Sequence, residues 1–221
     1  MNNKTIPRRF NISSAEMALI VTVIIGVLVN SSQFATVDNA YNIVRQFVTN
    51  AIIALGMAFV IISGSIDLSV SSVMVMGAFL AMRFVHISLA LAILVPLAFG
   101  VLIGAINATL ITKVNFPPMM ATYSTQMLVK GIVLVLTGGS TYKPLVSHEA
   151  FSYLGFGDIF GVIPFSLAFF VVIFVICFFS IKRIPLVRNV YAVGGNEEAA
   201  RMMGVNVVRT KFVAHIICSV F

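Results

Sequence analysis

Long apolar segments separated by short polar ones dominate the pattern of this chain. A helix needs about 20 apolar residues to cross a bilayer, and segments of that length without a charged residue occur at residues 17–37, 46–66, 87–112 and 159–181. Two more are shorter or interrupted, residues 68–82 and residues 119–137 with Lys130 inside, and residues 212–221 begin another. The pattern predicts an all-α, polytopic transmembrane protein with about six complete spans and the start of a seventh.

The polar segments are the loops of one predicted transmembrane domain, residues 1–221. Residues 1–14 form a basic tail, and residues 182–211 form a long polar loop after the sixth span. The sequence K-V-N-F-P-P at residues 113–118 predicts a turn, because proline cannot continue a helix. Residues 138–160, rich in Gly, Ser and Tyr, are expected to form a loop on the opposite side of the membrane from the 182–211 loop.

Composition excludes a soluble globular domain, since 60% of the residues are hydrophobic, 10% are charged and the mean hydropathy is +1.07. The net charge of +7 does not indicate nucleic-acid binding, because the basic residues are sorted by loop and form no patch with interleaved aromatic residues. They concentrate in the N-terminal tail, at Lys113 and in the 182–211 loop. The positive-inside rule therefore predicts that the N-terminus and this loop are cytoplasmic.

A short polar helix is predicted inside the 182–211 loop. Asn196 is a good N-cap, Glu197 and Glu198 lie in the first turn, where the helix dipole favours anions, and Gly204 stands where a helix would stop. About two turns of helix are marginal alone in water, so the helix is expected to dock on a partner. The alternative is an amphipathic helix lying on lipid headgroups through Met202 and its apolar neighbours.

The segment G-S-I-D-L-S-V at residues 64–70 joins two apolar spans without room for a hydrated loop. Asp67 is therefore expected near or within the membrane, where an ionisable residue indicates a functional site. The competing interpretation is structural: Asp67 caps the next helix by accepting from the amide of Ser69 or Val70. Both interpretations stay open. Asn107, in the fourth span, is expected to form an interhelical hydrogen bond. Lys130 is expected to extend its ammonium group toward the outer interface of the membrane.

Other chemistry is not indicated. His86, His148 and His215 do not stand at metal-ligand spacing from cysteines or carboxylates. Cys177 and Cys218 lie in apolar segments, so no structural disulfide is expected. The chain has no G-x-x-x-x-G-K-[ST] phosphate loop. The sequence therefore predicts no metal site, no cofactor and no enzyme activity in this chain.

Four stretches, in order, resemble the ribose-type (monosaccharide) branch of ABC-importer permeases. They are G-S-I-D-L-S-V, G-A-I-N-A-T-L-I-T-K-V-N-F-P-P at residues 104–118, K-G-I-V-L-V-L-T-G-G at residues 130–139, and V-Y-A-V-G-G-N-E-E-A-A-R-M-M-G-V at residues 190–205. Departures occur where the family pattern has Gly or Arg and this chain has Ser65, Ser71, Ala108 and Lys130. The family's T-L-G-T-M element is T-Y-S-T-Q here, which places Tyr123 and Gln126 in a span and would affect substrate choice if the pathway runs beside it.

The resemblance implies a multi-pass protein of the bacterial inner membrane that carries a small, ribose-like sugar. It implies three partners beside the lipid bilayer: a second permease subunit, an external sugar-binding protein, and a cytoplasmic ATPase that holds ATP and Mg. It also implies that the ATPase grips the short helix and its flanks. These residues are Gly195, Asn196, Glu197, Glu198, Ala199, Ala200, Arg201 and Gly204, and the pathway or structural candidates are Asp67, Ser69, Asn107, Tyr123, Gln126 and Lys130. The resemblance further implies that the C-terminal third of such a permease is absent here.

Three other interpretations remain as alternatives to a sugar permease. One is a permease of the same superfamily for branched-chain amino acids or nucleosides, against which the I-D-L-S-V motif argues. Another is a non-functional permease fragment. The third, an ion-coupled secondary transporter, requires inverted repeats and intramembrane carboxylates, and Asp67 is the one carboxylate that the sequence places there.

Overall fold

A computed structural model describes residues 13–140 and 148–221 of the chain. Most of the predicted basic tail, with Lys4, Arg8 and Arg9, lies outside these residues. So does part of the predicted 138–160 loop, around Tyr142. The described residues form ten helices: α1 Ser14–Phe34, α2 Val37–Ile62, α3 Val70–Phe84, α4 Leu89–Thr112, α5 Pro118–Thr137, α6 Glu149–Phe156, α7 Phe165–Arg183, α8 Pro185–Gly195, α9 Glu197–Met202 and α10 Val207–Val220. A small antiparallel hairpin, β1 Asp158–Ile159 and β2 Ile163–Pro164, precedes α7.

Helices α1, α4, α5 and α7 lie on the predicted apolar segments, whereas α2 begins at Val37, nine residues before its predicted segment. The protein is helical and polytopic. Four described helices are long and apolar enough to cross a membrane, namely α1, α2, α4 and α5, and a fifth span results if α7 and α8, bent by 72°, count as one. Helix α3 is apolar but has only 15 residues, too few for an independent span. The count of six spans and a partial seventh stays a prediction.

Local structure departs from the sequence-based expectations in two loops. The sequence predicts a loop at residues 138–160, but this segment contains α6 and the first strand of the hairpin, so the described part of the chain is helical with one small β element. The 182–211 loop contains a second helix, α8, beside the predicted short one. Val187, Val190 and Val193 recur every three residues along α8 and are buried, an amphipathic pattern that the basic residues of the loop obscured.

The chain divides into two compact units, one ending at Val44 and one covering Arg45–Phe221. In the first unit, Ser13 caps α1 in a reciprocal capping box with Glu16. The second unit contains the remaining described elements. One apolar cluster there joins Phe59 and Val60 of α2 to Ala214 and Cys218 of α10, and another joins α3, α4 and α5.

Helices α4 and α10 pack unusually close together. A Cβ atom added at Gly104 would lie 2.7 Å from Ile216 Cα and 2.8 Å from the His215 carbonyl oxygen, and one at Gly100 would collide with the Ser219 carbonyl oxygen. Ala108, one turn further on, is fully buried. Small residues at every fourth position let two membrane helices approach backbone to backbone. This approach fixes the position of His215.

Candidate functional site

The connection between α2 and α3 is a non-helical segment in which every second residue is buried. Gly64 has φ +77°, a conformation that favours glycine. Ser63, Ser65, Asp67 and Ser69 are each at most 3% exposed. Irregular backbone is tolerated at membrane depth only where protein covers it and satisfies its polar groups. Here the Leu68 amide donates to Thr122 Oγ1 of α5 over 3.1 Å.

Asp67 is the centre of a buried polar cluster. Its Oδ1 accepts from the Ser69 amide at 2.9 Å and the Ser69 hydroxyl at 2.6 Å. Its Oδ2 lies 3.1 Å from His215 Nδ1 and 3.5 Å from Asn107 Nδ2. The hydrogen bond from the Ser69 amide is one of the two that the capping interpretation named. Asp67 therefore holds the start of α3 and also contacts two other helices.

His215 bridges Asp67 and Ser65, whose Oγ lies 3.0 Å from His215 Nε2. One neutral tautomer satisfies both contacts: with its proton on Nδ1, the ring donates to Asp67 and accepts from the Ser65 hydroxyl. Asn107 completes the cluster by donating to Ser69 Oγ at 2.8 Å. Its Oδ1 is buried and has no hydrogen-bond partner among the described residues. The cluster thus ties the α2–α3 connection to α4 and α10.

Helix α9 has the local structure that the sequence predicts. The Asn196 side chain accepts from the Ala199 amide at 2.9 Å. Gly204 has φ +82°, and the Val205 amide donates to the Ala200 carbonyl over 3.0 Å, which closes the helix in the manner of a C-terminal glycine motif. Ala200 is fully buried against Val193 and Val207.

The loop around α9 is attached at two points to the helices beneath it. Lys211 of α10 forms a 2.5 Å salt bridge with Glu197, which also lies 3.4 Å from the exposed Arg201. At the end of α8, a Cβ atom on Gly194 would fall on the carbonyl oxygen of Ile62, the last residue of α2. Only glycine permits this backbone approach. At the C-terminal end of α9, the side chains of Met202 and Met203 are 88% and 73% exposed.

A groove of about 330 Å³ lies between α3 and α5. Across it, Gln126 Nε2 donates to Ser71 Oγ over 2.9 Å. Its lining residues are Ser71, Ser72, Val75, Gln126, Lys130, Val133 and Leu134. Tyr123, one turn before Gln126 on α5, is 52% exposed. We call this feature the α3–α5 groove.

The structure thus separates the candidate residues into three places. Asp67, Ser69 and Asn107 meet in the buried cluster, Gln126 and Lys130 line the α3–α5 groove, and the ATPase-coupling candidates surround α9. Sequence reasoning missed His215, because no spacing rule relates it to Asp67. The absence of metal-ligand spacing in the sequence did not reveal that His215 contacts the Asp67 carboxylate. Among the described residues no three His, Cys, Asp or Glu side chains are grouped so that they could hold a metal ion.

Comparison with known proteins identifies the family. Residues 39–221 match the family described as the permease component of the branched-chain amino acid transport system. The chain belongs to this permease family. It is 37% identical over 199 residues to the ribose import permease protein RbsC of Haemophilus influenzae, a match that covers 88% of this chain and 61% of the relative.

Further relatives also match most of this chain and only part of their own length. The RbsC protein of Escherichia coli K12 is 33% identical over 91% of this chain and 64% of its own length, and the L-arabinose transport system permease protein AraH of that strain is 30% identical over 83% and 56%. The chain therefore spans roughly three fifths of the length of the curated relatives it matches. No solved structure matches it.

Proposed function

We propose that this permease is the membrane subunit of a bacterial ATP-binding-cassette importer for a small, ribose-like sugar. The observation that carries the proposal is the construction of α9: its inner side is fixed by Ala200, Glu197 and the adjoining Gly194, while Met202 and Met203 stand exposed at its end. A short helix held in this way presents a rigid surface to a cytoplasmic partner. The relatives named as ribose and arabinose permeases support the sugar.

In this proposal the chain contributes the pathway, and its partners contribute energy and substrate. Two permease subunits form the pathway, an external binding protein delivers the sugar, and a separate ATPase binds ATP and Mg. The N-terminus is cytoplasmic, six spans and the start of a seventh cross the inner membrane, and residues 1–221 belong to one transmembrane domain. This places α9 on the side of the ATPase.

The attachments of α9 suggest how ATP closure reaches the spans. Movement of α9 would pull α10 through the Glu197–Lys211 salt bridge and push the end of α2 through Gly194. One turn beyond Lys211, His215 contacts Asp67 at the start of α3. The α2–α3 connection and His215, which contact each other in the buried cluster, would therefore both move with α9. Alternating access requires such a rearrangement between discrete packed states.

The test uses Gly204, whose positive φ disfavours any residue with a β-branched side chain. Gly204→Val should abolish sugar uptake and co-purification of the ATPase, while membrane insertion is retained. Gly204→Asn should retain part of both, because Asn tolerates this conformation. Gly155→Ala, which meets no atom within 4 Å, is the control. Unchanged co-purification of the ATPase with Gly204→Val would refute the docking role.

The buried Asp67–His215 pair favours a second candidate, proton-coupled transport, since such pairs form proton relays in pumps. A relay must meet water on each side in turn, yet Asp67 is 1% exposed and His215 is fully buried. ATP-driven transport is therefore the better proposal. Uptake that is abolished by a protonophore while cellular ATP is maintained would reverse this choice.

A further inference from the structure

Helix α3 begins beside the interior of α5 and not beside its first turn. Its start is level with the second and third turns of α5, as the Leu68–Thr122 and Ser71–Gln126 hydrogen bonds show. Its 15 residues measure about 22 Å at 1.5 Å per residue, less than the bilayer core of about 30 Å. The first turn of α3 therefore brings polar side chains to membrane depth.

The α3–α5 groove collects those polar groups on one face. Gln126 and Lys130 lie one turn apart on α5 and face Ser71 of α3, while Val75 and Val133 supply apolar walls. No carboxylate among the described residues pairs with Lys130. An ammonium group and an amide directed at hydrocarbon would be costly, so such residues within spans face water or protein.

The hydrogen-bonding groups of the groove form a complementary set. Because Gln126 uses its amide NH₂ on Ser71 Oγ, its Oε1 remains as an acceptor and the Ser71 hydroxyl proton remains for donation. Lys130 adds a second donor. Adjacent donors and acceptors beside an apolar wall match neighbouring hydroxyls and the C–H face of a sugar ring. The volume of about 330 Å³ is at the lower end for small-molecule sites.

We infer that the α3–α5 groove is a contact site for the sugar in transit, in which Gln126 and Ser71 bind adjacent hydroxyls and decide which sugar passes. This inference rests on the proposed function and assigns the substrate contacts within it. Gln126 is the specificity-determining residue, because its Oε1 is the acceptor and its NH₂ fixes the orientation of the Ser71 hydroxyl. The competing occupant of the groove is another helix, from a second copy or from elsewhere in the permease.

Uptake of radiolabelled ribose and arabinose by the complete transporter tests the assignment. Gln126→Leu should reduce the maximal rate for the preferred sugar at least tenfold and change the ratio between the two sugars. Gln126→Asn should recover part of the rate. Met127→Leu, on the same helix but outside the groove, should behave as the unmodified protein. Rates and ratio unchanged in both Gln126→Leu and Ser71→Ala would overturn the inference.

A labelling experiment separates a water-filled pathway from a helix interface. Val75→Cys, in a background where Cys177 and Cys218 are replaced by alanine, should react with a membrane-impermeant thiol reagent and be protected by the transported sugar. Absence of labelling would mean that another helix covers the groove and would overturn the inference. ATPase co-purification is measured on the same variants. Because α9 is unchanged in these variants, the ATPase should co-purify with each of them, and its loss would count against the docking role of α9. Loss of uptake with the ATPase still bound concerns the groove alone.

Discussion

Asp67 and His215 form a buried pair across 148 residues of sequence, with 3.1 Å between Asp67 Oδ2 and His215 Nδ1. The pair connects the α2–α3 connection to α10, and the close approach of α10 to α4 at Gly104 makes the contact possible. Asp67 is 1% exposed and His215 is fully buried. We therefore assign it first to the packing of the helices, with consequences for transport through them.

Replacing His215 should destabilise the protein more than replacing an exposed histidine. His215→Leu roughly conserves volume but leaves the Asp67 carboxylate and the Ser65 hydroxyl without their shared partner, a loss of about 3 kcal/mol for a buried charge. Unfolding in detergent can be followed by thiol labelling, since Cys177 and Cys218 are buried and free.

The matched control is His86→Leu, because His86 is exposed. It should leave the labelling transition unchanged. Asp67→Asn should cost less than His215→Leu, since the amide keeps an acceptor for Ser69 and introduces no unpaired charge. A His215→Leu protein whose thiols become reactive at the same temperature as in the unmodified protein would contradict the structural role of the pair.

Local rules predicted α9, whereas the buried cluster required the fold. The Asn196 cap and the Gly204 stop act within one or two helical turns, so the sequence contains all the information for that helix. Asp67 was recognised because an ionisable residue between apolar segments is rare. Its partner His215 was not, because an isolated histidine in an apolar segment has no local signal. Only the packing of α4 against α10 brings the two together.

Most long helices were predictable from hydrophobic length, whereas α8 and the β hairpin were not. Apolar length alone located α4 and α5 to within two residues, but α2 begins at Val37, nine residues before the predicted segment at residues 46–66. Helix α8 was not predicted because its buried valines are interspersed with polar residues such as Arg188 and Asn189, and the basic residues of this segment indicated a cytoplasmic loop. The α3–α5 groove was only partly predictable: Gln126 and Lys130 are recognisable in the sequence as polar residues within a predicted span, but their contact with Ser71 depends on where α3 begins relative to α5.

Substitution of Gly104 should show how closely α4 and α10 pack. Gly104→Ala places a methyl group 2.7 Å from Ile216 Cα and should destabilise the protein by about 1–3 kcal/mol through overpacking. Gly131→Ala is the control, because nothing lies within 4 Å of its added Cβ and alanine is the better helix former by about 1 kcal/mol. Thiol labelling during thermal unfolding measures both. Equal stability of the two variants would argue against the close approach.

The proposed orientation predicts opposite accessibility for two exposed positions. Met202, at the end of α9, is 88% exposed, and Phe160, in the hairpin turn, is 94% exposed. In a background without Cys177 and Cys218, Met202→Cys should react with an impermeant thiol reagent only in inside-out vesicles, and Phe160→Cys only in intact spheroplasts. Labelling of both from one side would refute the orientation and, with it, the access of a cytoplasmic ATPase to α9.

The last prediction concerns Lys211, whose side chain is 16% exposed and whose partner Glu197 lies on α9. Because the Glu197 side chain is 42% exposed, solvent screens the pair, and about 1 kcal/mol of α9 positioning, the upper end for exposed pairs, should be lost in Lys211→Met. We expect the ATPase still to co-purify, because Met202 and Met203 are unchanged, but uptake per ATP hydrolysed to fall several-fold. Arg209→Met removes the same charge from an exposed position two residues earlier on α10 and should leave that ratio intact.

Charge reversal decides whether the Glu197–Lys211 contact itself carries the effect. Glu197→Lys and Lys211→Glu should each reduce uptake per ATP hydrolysed, because each places two like charges where the salt bridge stood. The double variant restores opposite charges and should recover much of the ratio, limited by the new lysine standing beside the exposed Arg201. A double variant no better than the worse single one would mean that Lys211 acts on transport by some route other than Glu197, and that the force of ATP closure reaches α10 elsewhere.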